Sequence, residues 1–168
     1  MFHIFLAVFS ITICYIRGDW KNWLNYYPTI LFFILNSVVY NLLTYNHPLW
    51  LYESGILNCT FSDLLIAITV YPSTVMIFIP NFPRKVSKIL LHISIYVALY
   101  TSTEFIANKL GYFTYHNSWS IGYSFIFNYS LFSILILHYK KPLYAWIMAL
   151  MFPFILFYIM KIPYSSIR

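Results

Sequence analysis

The chain alternates long apolar runs with short polar connections. A helix needs about 20 predominantly apolar residues to cross a hydrocarbon core. Six runs meet or approach that length: Phe2–Ile16, Pro28–Tyr45, Phe61–Ile79, Val86–Ala107, Ile121–His138 and Leu143–Met160. The pattern predicts an all-α fold, a polytopic transmembrane bundle of about six helices forming one domain over residues 1–168. Pro28 and Pro142 open two of the runs, at first-turn positions where a missing N–H is harmless. Pro72 and Pro153 fall inside helices, where they free a backbone carbonyl to line a cavity or meet a neighbour. Such breaks suit a transporter but are also common in membrane helices.

The connections are too short to hold a soluble domain. With four glycines in the chain, neither a phosphate-cradling loop nor GxxxG helix packing is available. The start lacks the marks of a cleaved leader: no Lys or Arg precedes the first apolar run, and Cys14 follows Ile13 rather than a small residue. The segment reads as a retained first helix.

Composition sharpens the class. Hydrophobic residues make up 61% and charged residues 8%, against roughly 25% charged in soluble domains. One core of this size could not hide so much apolar surface from water. Aromatics at 23% fit either a compositional bias of the genome or a lining for a lipid or hydrophobic ligand. The net charge of +6 would suggest nucleic acid in a soluble protein, but its placement says otherwise. With the first connection in the cytoplasm, Arg17, Lys21, Arg84, Lys85, Lys88, Lys140 and Lys141 face inward, and Lys109, Lys161 and Arg168 face outward. Seven cations against three predicts both termini outside. Asp19 is then inner, and Glu53, Asp63 and Glu104 are outer, so the faces sum to 7 − 1 = +6 and 3 − 3 = 0. The charge is an orientation signal in a plasma-membrane protein, with membrane lipids, other membrane proteins or a second copy as partners and no nucleic acid. Trp20, Trp23 and Trp146 at the inner interface, and Trp50 and Trp119 at the outer, match an aromatic belt. Cys14 and Cys59 fall at opposite faces, so no disulfide is expected between them.

The fourth helix carries the most ordered polar signal. Lys88, His92, Tyr96, Tyr100, Glu104 and Asn108 recur every four residues on one face, and Lys88 to Glu104 spans about 24 Å. Such a ridge is costly against lipid and should face the bundle. It reads either as a proton or ion route with His92 and Glu104 as stations, or as a hydrogen-bonded packing ridge. Asn36 with Tyr40, Ser37 with Asn41, and Ser120, Ser124 and Asn128 form similar series on the second and fifth helices. They read as polar glue between helices or as a hydrated pocket opening outward. Glu53, Asp63, Glu104, His47 and His116 gather on the outer side, where an acid and a His could act as acid and base. Asp63 sits beside a helix start, where a carboxylate is favoured. No metal-binding spacing occurs, and no cofactor is implied. Asn58-Cys59-Thr60 matches a glycosylation triplet.

Glu104, Gly111, Tyr115, Trp119 and Tyr123-Ser124, followed by His138-Tyr139-Lys140-Lys141-Pro142-Leu143 and Ala145-Trp146, resemble a family of small uncharacterised multi-pass membrane proteins of spore-forming Gram-positive bacteria. Tyr26-Tyr27-Pro28 and Pro80-Asn81-Phe82-Pro83 extend the likeness, which covers mainly the last third of the chain. The resemblance implies a polytopic cytoplasmic-membrane protein and supplies no reaction or catalytic residue. Three functions are then compatible with the residues. One is a non-enzymatic component that binds lipid or other membrane proteins. The second is a small transporter or proton-coupled unit using Glu104 and His92. The third is an enzyme acting on lipid headgroups with Glu104 and His116 or Asp63.

Overall fold

The computed structural model describes residues 1–166, so Arg168, counted above with the outer cations, lies outside the described residues. Among them are six α-helices: α1 (Phe2–Arg17), α2 (Trp23–Leu43), α3 (Cys59–Phe78), α4 (Val86–Lys109), α5 (Ile121–Lys140) and α6 (Pro142–Met160). Five are long and apolar enough to cross a membrane. The exception is α1, whose 16 residues rise about 24 Å. The all-α class expected from the hydropathy pattern is the one observed.

The boundaries differ from the expected ones in instructive places. A 3-10 turn at Trp20–Asn22 leads into α2, which therefore starts five residues before Pro28 and carries that proline inside. Pro142 does occupy the first turn of α6. The helix expected from Phe61 starts at Cys59, with Asn58 as its cap: the Asn58 side chain accepts a 2.8 Å bond from the Phe61 N–H. Asp63 is thus past the first turn rather than beside the helix start, and the cap is Asn58 of the glycosylation triplet.

The connections read as loops after α2 and α4 contain a short antiparallel pair, β1 (Trp50–Tyr52) and β2 (Phe113–Tyr115). Bonds from Glu53 N–H to the Tyr112 carbonyl and from His116 N–H to the Leu49 carbonyl extend it at both ends. Gly111, at φ +76°, makes the left-handed turn that releases the chain from α4 into β2. His3 bonds the Glu53 carbonyl, and Asn46 bonds the Ser166 carbonyl, so both ends of the described chain meet the bundle at its sheet end. The α1–α2, α3–α4 and α5–α6 turns form the other end, where seven Lys and Arg side chains gather. The Tyr26 hydroxyl and then the Asn22 amide, both donating to Asp19, hold the one acid there below the usual carboxylate range.

Packing follows from side-chain size. With four glycines, helices cannot approach backbone to backbone, and aromatic rings fill the space between them. α3 lies between α1 and α2; α5 lies between α4 and α6 and also meets α2. At the centre, the fully buried Phe132 packs edge-on to Tyr100 and against Phe78 and Tyr96. Polar side chains pair across the helices: Thr29 with His138 (3.0 Å), Thr74 with Tyr100 (2.7 Å), Ser94 with Tyr129 (2.7 Å) and Asn128 with Thr101 (3.2 Å). Cys14 and Cys59 are both free.

Phe132→Ala should destabilise the protein by about 3–5 kcal/mol through the cavity it leaves, while Ile147→Ala on the exposed face of α6 should change little. Reversible unfolding in detergent measures both; equal effects would show that Phe132 is not a packing centre.

Candidate functional site

Burial and hydrogen bonding converge at the sheet end of α4. Glu104 is half-buried, and its Oε1 accepts bonds from two hydroxyls, Tyr115 on β2 (2.7 Å) and Ser124 on α5. Ser124 in turn accepts from the Trp119 indole N–H at 2.9 Å. Both donors use the same oxygen, Oε1, whose two lone pairs they fill. Desolvation, followed by the bond to Glu104, pushes the Tyr115 phenol well above its ordinary value, so it stays a donor. The node ties the sheet to two helices. It gathers Glu104, Tyr115, Trp119 and Ser124, and Gly111 shapes the turn that delivers Tyr115.

Glu104 also lines a cleft of about 490 Å³ bounded by α1, α3, α4 and α5 and roofed by the sheet. That is within the usual range for small-molecule sites. Phe9 on α1 and Ile95 and Leu99 on α4 line it while remaining exposed, so the cleft opens between α1 and α4 on the apolar flank of the bundle. Toward the sheet, His3, Tyr52, Thr103, Glu104 and Ser124 stand among Phe2, Leu6, Ala107 and Phe113; toward the other end, Ile13, Ile77, Ile95 and Leu131 stand with Ser73, Thr74 and Tyr96. Glu104 is the sole Asp, Glu, Lys or Arg on its wall among the described residues.

Two polar atoms at the sheet end have spare capacity. Glu104 Oε2 makes no hydrogen bond among the described residues, since both hydroxyls use Oε1. His3 is 1% exposed and bonds the Glu53 carbonyl through Nε2 at 2.9 Å, which makes Nε2 the donor. Its Nδ1 is then an acceptor, and it has no hydrogen-bond partner among the described residues. The Tyr112 carbonyl is a second backbone acceptor beside the ring. Tyr52 stands edge-on to His3 at 5.3 Å. Desolvation, then the neighbouring Tyr71, Asp63 and Glu104, push its phenol well above the ordinary range.

The other sequence candidates are dispersed. His92 bonds the Phe78 carbonyl (3.1 Å) and stacks on the Phe78 ring; it does not line the cleft. From His92 to Asn108 the ridge faces the bundle, but Lys88 at its start is exposed, and Phe78 and the Thr74–Tyr100 pair stand along the way from His92 to Glu104. His116 is exposed and meets Thr114, which bonds Glu53. No hydrogen bond joins His116 or Asp63 to Glu104 among the described residues, while Asp63 and Glu104 both neighbour Tyr52. Asn128 lines the cleft and bonds Thr101. Asn36 donates to its own helix at Phe32 and lines a second, apolar cavity between α2, α5 and α6. Asn41 is half-buried outside both cavities. No grouping of three or more His, Cys, Asp or Glu able to hold a metal occurs among the described residues. His3 and Tyr52 carry no signal in the sequence, and Tyr115 enters it only through the family resemblance, because each belongs to a terminus or loop whose spacing from Glu104 is not periodic.

Tyr115→Phe and Ser124→Ala should each cost about 1.5–3 kcal/mol, the range for a hydrogen bond to a charged group. Because they share one oxygen, the double variant should cost less than the sum. A double-mutant cycle by unfolding in detergent reads this; strict additivity would show two independent bonds rather than one node.

The geometry is the sole guide to function here: no protein-family model, curated protein or solved structure matches the chain.

Proposed function

We propose that this integral membrane protein is a non-enzymatic binder of a lipid-like amphiphile, held in the cleft between α1 and α4. The observation that carries the reading is a largely apolar cleft wall whose one charged side chain among the described residues, Glu104, lies beneath the sheet, with a lateral opening between α1 and α4. An amphiphile matches both halves: its tail replaces lipid contacts along Ile13, Ile77, Ile95 and Leu131, and its head meets the acceptors around Glu104. Entry from the bilayer avoids carrying the tail through water. Membership in the family of small multi-pass proteins of spore-forming bacteria is part of the same proposal, supported by the convergence of its motif residues on the Glu104 node.

Purification in a mild detergent followed by lipid extraction and native mass spectrometry tests the reading. A bound amphiphile should survive, and Ser10→Trp, which places a ring in the cleft, should remove it at unchanged thermal stability. Ile147→Trp on the exposed face of α6 is the control. Retention by Ser10→Trp equal to that of the unaltered protein would overturn the site.

The proposed orientation places both termini outside the cytoplasmic membrane, supported by the concentration of Lys and Arg at the end opposite the sheet. A C-terminal reporter that works only outside the cytoplasm should be active; activity of a cytoplasm-only reporter would reverse the assignment.

A further inference from the structure

The chemistry of the head group can be read from the cleft wall. Among the described residues Glu104 has no counter-ion: burial and the two hydroxyl bonds make up its environment, with no described Lys or Arg acting on it. The nearest cation along its own helix, Lys109, is exposed and lies over the Phe105 ring, 5.5 Å from its centroid. An acid in an apolar bundle without a cation is costly to keep for packing alone, and it marks a place where charge is supplied from elsewhere. Two polar atoms at this end of the cleft, Glu104 Oε2 and His3 Nδ1, make no hydrogen bond among the described residues, and the Tyr52 phenol stands beside them. Phe2, Trp50, Tyr52, Tyr71 and Phe113 complete the wall, with Phe2, Trp50 and Tyr71 each stacked on a neighbouring ring. An anionic head would meet Glu104 with no Lys or Arg to offset it. A neutral hydroxyl would satisfy an acceptor but leave the charge unmatched.

We infer that the cleft selects an amphiphile with a protonated amine head, whose N–H groups donate to Glu104 Oε2 and His3 Nδ1. The inference rests on the amphiphile reading above and adds the charge and donor count of the ligand. The same chemistry is offered by a single-chain amine and by a phospholipid with a primary-amine head. A tail-matched series separates head from tail: dodecylammonium, dodecanol and dodecanoate, titrated into the protein in nanodiscs. Dodecylammonium should bind at least about tenfold more tightly than dodecanol, the range for a charge-assisted hydrogen bond, and dodecanoate weakest. Glu104→Gln keeps a polar group for Tyr115 and Ser124 and should bring the ammonium and alcohol affinities together. Equal affinities for ammonium and alcohol in the unaltered protein, or a preference that persists in Glu104→Gln, would overturn the inference. The first comparison needs no variant, so a failure of Glu104→Gln to fold leaves the inference testable. Absence of binding by all three tails would instead defeat the amphiphile reading, and this inference with it. A parallel arm with nanodiscs of ethanolamine-headed or choline-headed phospholipid identifies the source. Displacement of dodecylammonium by the ethanolamine lipid alone points to a membrane lipid, and displacement by neither points to a free lipophilic amine.

Discussion

In surroundings without water, a polar side chain must find its partner inside the protein, and this bundle is organised by that constraint. Each of the interhelical bonds Thr29–His138, Thr74–Tyr100, Ser94–Tyr129 and Asn128–Thr101 joins side chains from two helices that could not otherwise be polar at that depth. Glu104 is where the demand is greatest, because a carboxylate asks for more than one donor. It obtains two by recruiting one from the sheet and one from α5, and so decides how the sheet sits on the helices.

The aromatic richness of the chain acts on the same problem from the apolar side. Rings of Phe78, Tyr96, Tyr100 and Phe132 pack in the space that small residues would otherwise close. Large rigid side chains fill a centre well but tile a periphery poorly, which accounts for the clefts on two flanks of the α3–α5 region. The first of these coincides with the unmatched charge of Glu104, and that coincidence connects packing to ligand binding.

Much of the architecture was legible from the chain. Apolar runs separated by short connections specify membrane helices because length and hydropathy alone decide what a bilayer accepts. The four-residue ridge on α4 correctly marked an inward face, since polar groups there had no alternative. What the pattern missed was local or non-periodic. The early start of α2 at Trp23 depends on Trp20 and Asp19 bonding within the α1–α2 turn, as Trp20 does to the Cys14 carbonyl. The sheet depends on two loops 60 residues apart in sequence meeting in register, with Trp50 opposite Tyr115. Pairing of His92 with Glu104 looked reasonable along one helix, yet α3 and its Phe78 hold His92 in a separate environment.

The sequence by itself determined the class, the number of apolar helices, the asymmetry of charge between the two ends and the inward face of α4. These follow from side-chain transfer energies and helix geometry, which act residue by residue. Only the tertiary structure decided which polar groups share a site. His3 comes from the first helix, Tyr52 and Tyr115 from the paired loops, and Glu104 and Ser124 from the two helices that flank the second loop. Their meeting depends on how α1 packs on α3 and how the sheet closes over both, contacts between distant segments that no local pattern encodes.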